Sequence, residues 1–157
     1  MDETTDNARK DALAFLRRHK TGVLATVSAG GEAHASMVFY TADEHFNVYF
    51  FTMVNTRKFA AIKAHPQVAF VVSTPEVPQT LQIEGLAVDI PEMEDTRELR
   101  QGLYKVLNSN NWFAGPIMKL DPANVGVMRL KPTWVRWADY AFSESGSHNV
   151  FKEIPLT

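Results

Sequence analysis

The connections between the first apolar segments constrain the fold of this chain more than any other feature. Residues 23–27, 33–41 and 46–52 are rich in apolar and β-branched side chains, and short polar turns separate them. Gly30 and Gly31 lie in the first of these turns. Parallel strands need a long crossover connection, whereas antiparallel strands can follow one another through a tight turn. The sequence therefore predicts an antiparallel meander of three strands near the start of the chain.

The remaining segments predict further strands with helices inserted between them. Residues 68–73 are almost continuously apolar, which predicts a strand buried on both faces. Gly85 interrupts the long strand expected at 80–90 and indicates a β-bulge or a close approach of another backbone there. Short strands joined mostly by hairpins favour a closed or nearly closed barrel in one domain, because closure removes unpaired edges. The other expected elements are strands at 125–130 and 133–138, on either side of Pro132, and helices at 6–20, 56–64 and 92–107.

Composition excludes several classes of function. The 157 residues contain no cysteine, which rules out disulfides, thiolate nucleophiles and cysteine-based metal sites. A formal net charge of −2 argues against a nucleic-acid-binding protein, and no apolar run reaches the length of a membrane span. The five histidines lack metal-ligand spacing, so no metal site is expected. The polar, acidic amino terminus is unlike a signal peptide, and we expect a cytoplasmic protein.

A strand-to-helix junction carries the strongest candidate site. The third apolar strand ends in Thr52, and Thr56, Arg57 and Lys58 open the helical segment that follows. The first N–H groups of a helix have no intrahelical acceptor, and the helix dipole places positive charge at the same end. Two hydroxyl groups and two cations at this position predict a phosphate site. The alternative is an ordinary helix start, in which Thr56 caps the helix and the cations face solvent.

A second candidate, Ser36-Met37-Val38, lies on the preceding strand, which is expected to pair with 46–52. A flat aromatic ligand with its phosphate at residues 56–58 could lie along this strand. Backbone N–H and C=O groups would then bind the polar edge of its ring. The alternative is a core strand that contacts no ligand, and the residues themselves leave both interpretations open.

The order of these segments resembles the pyridoxamine 5'-phosphate oxidase-like FMN-binding split barrels. The resemblance rests on GVLATVSAGGEAHASMVFY at 22–40, VYFFTMVNTRKFAAIKAHPQVAFVV at 48–72 and LQIEGLAVDI at 81–90. It extends over residues 8–138, and the ordered combination is more specific than any single motif. The fold that it implies is mainly β with inserted helices, a six- to seven-stranded antiparallel split β-barrel of Greek-key type.

The resemblance also implies a cofactor, an assembly and a set of contacts. The cofactor is flavin mononucleotide (FMN), held at a homodimer interface together with a small-molecule substrate. The chain would be a single FMN-binding domain, 1–157, with its core at 8–138 and a peripheral tail at 143–157. The implied cofactor contacts are Arg57 and Lys58 at the phosphate, assisted by Thr52 and Thr56; Ser36, Met37 and Val38 at the isoalloxazine edge; Phe51 near the flavin; and either Thr80 or Gln82 at the ring or the ribityl chain.

Departures from the family pattern limit the expected activity. Members that oxidise pyridoxamine phosphate carry basic residues near the positions of Ala35-Ser36 and Tyr40 in this chain, so strict pyridoxamine phosphate oxidase activity is not expected. We expect an FMN-dependent oxidoreductase acting on an unknown small molecule, with no catalytic side chain assigned. One alternative is a flavin-binding or stress-response module without turnover. Another is the same barrel binding haem or deazaflavin, with His34 or His148 available to ligate haem.

Overall fold

The computed structural model describes residues 3–90, 97–108, 124–141 and 150–156. The helices predicted at 6–20, 56–64 and 92–107 correspond to the three helices of these ranges, although 92–96 lies outside the described residues. The helices are α1 (Glu3–Arg18), α2 (Arg57–Ala64) and α3 (Arg97–Asn108). The strands in the described ranges are β1 (Thr21–Val27), β2 (Ala33–Ala42), β3 (Val48–Met53), β4 (Gln67–Thr74), β5 (Gln79–Ile90), β6 (Val125–Asp139) and β7 (Phe151–Glu153).

Strands β1 to β6 close into an antiparallel barrel. Hydrogen-bonded neighbours follow the order β3-β2-β1-β4-β5-β6, and β6 pairs with β3 to complete the ring. β7 adds to the other end of β6, opposite residues 136–138. The first three strands form the meander that the short turns predict. The expected fold, a mainly β antiparallel barrel with inserted helices, is therefore confirmed.

β6 is one continuous strand, although the sequence predicts two segments on either side of Pro132. Its register against β5 shifts between Glu84 and Gly85, so that Gly85 faces Pro132 and Thr133 becomes the extra residue. The Thr133 hydroxyl donates to the Glu84 carbonyl oxygen at 3.2 Å. A bulge interrupts the ladder locally, which allows a proline without an N–H to stay in the strand. The bulge predicted at Gly85 is confirmed, and a side chain there would overlap the Lys131 carbonyl oxygen.

α1 supplies part of the barrel core. Its residues Phe15 and Leu16 are buried together with Phe70 and other side chains of the strands. The Tyr40 hydroxyl of β2 donates to the Leu16 carbonyl oxygen at 2.7 Å, and burial raises the pKa of this phenol. The bond satisfies a polar group that would otherwise be costly to bury.

The two tryptophans of β6 face opposite sides of the barrel wall, as a spacing of three residues on a strand predicts. Trp137 is buried against Phe15, with ring centroids 4.9 Å apart. Trp134 is half-buried on the outer face. The outer face of the barrel therefore carries one large aromatic ring at this position.

The outer side of β4 differs from the sequence prediction. Val68, Phe70 and Val72 are buried in the core, but Ala69 is exposed and Val71 is only half-buried. The apolar run predicted burial on both faces, and this prediction is wrong for the single chain, because only alternate residues of the run point into the barrel. An antiparallel sheet usually has one core face and one polar face. Here the outer face is apolar as well.

Part of the segment predicted as a peripheral tail joins the barrel. β7 pairs with β6, and Ile154 is buried in the main core. The Ile154 amide donates to the Val135 carbonyl oxygen at 2.9 Å. The rest of this segment, 143–149 and the last residue, lies outside the described residues, and so does the candidate haem ligand His148.

Candidate functional site

Two threonines hold the junction between β3 and α2. Thr56 is the N-cap of α2: its hydroxyl accepts a hydrogen bond from the Phe59 amide at 3.2 Å and donates to the Met53 carbonyl oxygen at 2.7 Å. Thr52 is buried at the end of β3, and its hydroxyl lies 3.1 Å from that of Thr56. These bonds set the direction in which the helix leaves the strand. Both hydroxyl groups therefore shape the backbone of the candidate phosphate site.

The groups left for an anion are the first amides of α2 and the Lys58 ammonium. The amides of Arg57 and Lys58 donate to no acceptor among the described residues. The first turn of α2 has no acidic residue, and no described carboxylate lies within ion-pair distance of either cation. Lys58 is half-buried, and burial lowers the pKa of its ammonium below the ordinary value. A desolvated cation beside two free amides is suited to bind a phosphate.

Arg57 differs from its neighbour in its surroundings, because its side chain is exposed. Solvent screens an exposed cation, so Arg57 contributes less to anion binding than Lys58 unless a ligand covers it. Within this pair, Lys58 is the principal phosphate-binding candidate.

The barrel wall opens between β2 and β3. The two strands pair only where residues 40–42 face 48–50. Beyond that point, residues 33–39 pair with β1 and residues 51–53 pair with β6. The pairing of β2 with β3 that the sequence predicts is confirmed, but it does not reach residues 36–38.

Ser36, Met37 and Val38 lie on the β2 side of this opening. Val38 is buried in the core, Ser36 is half-buried, and Met37 is 52% exposed. The side chain of Val38 is therefore unavailable to a ligand outside the barrel. A ligand that lies along this segment can reach its backbone and the outward side chain of Met37.

Helix α3 packs against both β2 and β3, and so spans the opening between them. Phe51 of β3 is half-buried on the outer side, with its ring centroid 5.1 Å from that of Tyr104. Tyr104 is a residue that the sequence interpretation missed. Its only signal is its place on an amphipathic helix, and the position of that helix over β3 is a property of the tertiary structure.

Thr80 and Gln82 lie on the outer face of β5, and each already has a partner. The Thr80 hydroxyl lies 3.0 Å from that of Ser73, and the Gln82 amide oxygen accepts hydrogen bonds from Arg136. No described contact joins them to residues 52–58 within the single chain. The structure thus brings the phosphate candidates together at one junction and leaves Thr80 and Gln82 on a separate surface.

Metal ligands and membrane-spanning helices are two further features to consider in the described residues. In these ranges no three His, Asp or Glu side chains lie close enough to hold a metal ion. None of the described helices combines the length and the apolar character required to cross a bilayer.

The fold and this junction define a split-barrel protein with a candidate phosphate site where a strand meets a helix. A profile of the pyridoxamine 5'-phosphate oxidase family matches residues 8–137, and the chain belongs to this family. The family resemblance of the sequence is therefore confirmed. A search of curated proteins finds no significant match to the chain.

Solved structures with the same fold have been described with different cofactors. A FAD-binding protein from Mesorhizobium loti is 18% identical, with a TM-score of 0.65 over 80% of this chain and 88% of that one. An F420 reductase is 25% identical, with a TM-score of 0.61 over 78% and 93% of the two chains. A heme binding protein from Mycobacterium smegmatis is 17% identical, with a TM-score of 0.68 over 98% of this chain and 58% of that one. At these identities the structures establish the shared fold.

Proposed function

We propose that this protein is an FMN-binding flavoprotein that acts as an oxidoreductase on a small molecule. The observation that carries the proposal is the half-buried Lys58 ammonium, which has no counter-ion among the described residues and lies next to two free helix amides. A bound phosphate would provide the missing negative charge. Membership of the pyridoxamine 5'-phosphate oxidase family supports a phosphorylated flavin as its source.

In this proposal the chain binds and orients the cofactor, and the flavin supplies the redox chemistry. Lys58, Arg57 and the first amides of α2 hold the phosphate. The backbone at residues 36–38 and the Phe51 ring contact the flavin along the opening between β2 and β3. Thr80 or Gln82 reaches the ring or the ribityl chain from a second copy of the chain.

Replacement of Lys58 tests the phosphate site most directly. We expect Lys58→Ala to weaken FMN binding by about 1.5–3 kcal/mol, which is roughly a 10- to 150-fold rise in the dissociation constant, because a charge-assisted hydrogen bond is lost. Flavin fluorescence titration measures this change. Lys63→Ala is the matched control, since Lys63 lies on the same helix, carries the same charge and is exposed.

The stability of the flavin-free variant separates binding from folding. Removing a half-buried ammonium without a counter-ion should leave the free energy of unfolding unchanged or increase it. If Lys58→Ala and Lys63→Ala bind FMN equally well, Lys58 does not hold the phosphate and the assignment of the site is wrong.

We further propose that the protein is a homodimer. Val23 of β1 and its register partner Met37 of β2 point outward from the barrel and are 41% and 52% exposed. Ala25 and Ala69 continue this apolar surface across β1 and β4. A two-fold contact there would bury the apolar face and place residues of one copy beside the other.

Light scattering at micromolar concentration tests the assembly. The proposal predicts twice the mass of the chain, and Val23→Lys should shift the protein towards the monomer, because the new charge would have to be buried in the contact. Val77→Lys, at an exposed loop position between β4 and β5, is the control. A monomeric mass for the unmodified chain would contradict the proposal.

Two alternative cofactors are favoured by the fold neighbours, which include a heme binding protein and an F420 reductase. The visible absorption spectrum of the purified protein separates them from FMN. Flavin bands retained after removal of excess FMN support the proposal, and a Soret band supports haem. A cytoplasmic location and a single domain over the whole chain remain predictions from the sequence.

A further inference from the structure

We propose that Asp43 is a positioning residue for the flavin site: its carboxylate fixes the point at which β2 and β3 separate, and with it the shape of the opening between them. This inference rests on the proposed function, because the flavin ring of that proposal binds along the same opening. Asp43 lies in the turn between β2 and β3, outside the segments 36–38 and 51–53 that border the opening.

The contact between β2 and β3 is short. Three residue pairs join them, between 40–42 and 48–50, whereas seven pairs join β2 to β1 and six join β3 to β6. A hairpin of so few pairs has little stability of its own in water. The turn that closes this hairpin therefore has a large influence on where the two strands part.

The turn contains an unfavourable backbone conformation. Phe46 has a φ of 61°, in the left-handed region that residues with a side chain seldom adopt, and its ring is buried in the core. Such a conformation costs free energy and persists only where the surrounding contacts hold it. α1 supplies some of these contacts: one Nη of Arg9 donates to the Glu44 carbonyl oxygen at 3.0 Å, and the guanidinium carbon lies 5.4 Å from the Phe46 ring centroid.

The Asp43 carboxylate supplies four more contacts. One oxygen accepts from the backbone amides of His45 and Asn47, at 2.9 and 3.0 Å. The other accepts from the Asn47 side-chain amide at 2.8 Å and from the Tyr49 hydroxyl at 2.9 Å. Burial alone would raise the pKa of this carboxyl, but the hydrogen bonds from Asn47, Tyr49 and the amides outweigh burial and hold the pKa below its ordinary value. The ionised carboxylate thus ties the turn together.

Tyr49 connects this turn to the opening. It is in register with Thr41 of β2 on one side and with Arg129 of β6 on the other, so it lies where β3 is paired with both neighbours. Phe51, two residues further along, points to the same outer face and lies beyond the pairing with β2. The bond from the Tyr49 hydroxyl to Asp43 therefore holds β3 beside β2 up to the edge of the opening.

Asp43→Asn tests the inference, because it replaces one accepting oxygen with a donor and changes the size of the side chain little. The full chain is titrated with FMN and with riboflavin, which has the same ring and no phosphate. When the turn is loosened, a smaller fraction of the molecules has the opening in its binding shape, so both dissociation constants should rise about tenfold. Lys58→Ala should instead raise the constant for FMN and leave that for riboflavin unchanged.

Two other variants complete the test. Glu32→Gln is the matched control, since it makes the same carboxylate-to-amide change in the exposed turn between β1 and β2, where Glu32 accepts from the Ser28 hydroxyl at 2.7 Å. Both flavins should bind this variant as they bind the unmodified chain. Tyr49→Phe removes one bond to Asp43, keeps the ring and should raise both constants about threefold. It also replaces Asp43→Asn in the test if urea denaturation shows that Asp43→Asn is unfolded.

The visible circular dichroism of the bound flavin provides a second measurement, because it depends on the surroundings of the ring. It should change in Asp43→Asn and Tyr49→Phe and stay the same in Glu32→Gln. A structural role that affects only the free energy of unfolding would leave this spectrum and both affinities unchanged.

The possible contradictions are distinct. If the folded variants of Asp43 and Tyr49 bind both flavins as tightly as the unmodified chain, the turn acts on stability alone and the inference is wrong. A loss of affinity for FMN alone would also overturn it, because the effect would then lie at the phosphate. If the unmodified chain binds neither flavin, the proposed function fails and the inference fails with it. If Lys58→Ala binds FMN normally while Asp43→Asn loses affinity for both flavins, the phosphate assignment is wrong and this inference stands.

Discussion

Lys58 and Arg136 are both half-buried cations without a described counter-ion, and their settings differ. Lys58 lies in the first turn of α2, and the amides and threonine hydroxyls of its candidate site belong to residues 52–58. Arg136 is held by Gln82, a residue 54 positions away in the chain, through the paired strands β5 and β6. The groups of the Lys58 site are close together in the sequence. Gln82 and Arg136 meet only because the register of β5 against β6 pairs them.

The two cations differ in the groups that surround them. In the proposed phosphate site, the first amides of α2 and the Lys58 ammonium would donate to the same anion. Such a group of donors suits a phosphate. At Arg136 the Gln82 side chain and two aromatic rings hold a planar guanidinium in one orientation. A single fold thus positions one cation through a helix start and another through the pairing of two strands.

The register of β5 against β6, which pairs Gln82 with Arg136, can be disturbed at Gly85. A side chain there would overlap the Lys131 carbonyl oxygen, so Gly85→Val should lower the free energy of unfolding by about 1–3 kcal/mol. The melting temperature should fall by roughly 2–4 °C per kcal/mol in a chain of this size. Thermal unfolding measures the change.

Gly102→Ala is the matched control for this experiment. No described residue lies within 4 Å of a side chain added at Gly102 on α3, and alanine favours a helix over glycine by about 0.5–1 kcal/mol. We expect this variant to raise the melting temperature slightly. A Gly85→Val protein as stable as the unmodified chain would show that the strands adjust their register without cost.

The local site can be weakened at its cap. Thr56→Ala removes the hydrogen bond to the Phe59 amide, and we expect a loss of about 1 kcal/mol in the free energy of unfolding, with weaker FMN binding. Urea denaturation and flavin titration measure the two effects. Thr56→Ser keeps the hydroxyl and should retain both properties. If alanine and serine behave alike, the hydroxyl is not needed at this junction.

The smallest expected effect is a dependence of the FMN affinity on pH. Burial lowers the pKa of Lys58, so its ammonium begins to lose its proton at a lower pH than an exposed lysine does. FMN affinity should therefore decline slightly between about pH 7 and about pH 9. Titrations at both pH values check this. An FMN affinity that is equal at the two pH values would contradict this expectation.

Much of the barrel could be predicted from the sequence. Short turns required antiparallel neighbours, and Gly85 indicated the bulge that the register of β5 and β6 confirms. Pro132 misled the prediction, because a proline normally ends a strand and only the bulge opposite it allows β6 to continue. The apolar run in β4 also misled the prediction. A continuous apolar pattern does not show which of the two faces of a strand is buried within the same chain.

The sequence by itself determined the hairpin order, the helix start at Thr56 and the cations beside it, because these depend on neighbouring residues. Only the tertiary structure decided that Lys58 is half-buried, that β2 and β3 separate beyond residues 40 and 50, and that Gln82 holds Arg136. Burial and strand register depend on residues far apart in the chain. No local pattern carries that information.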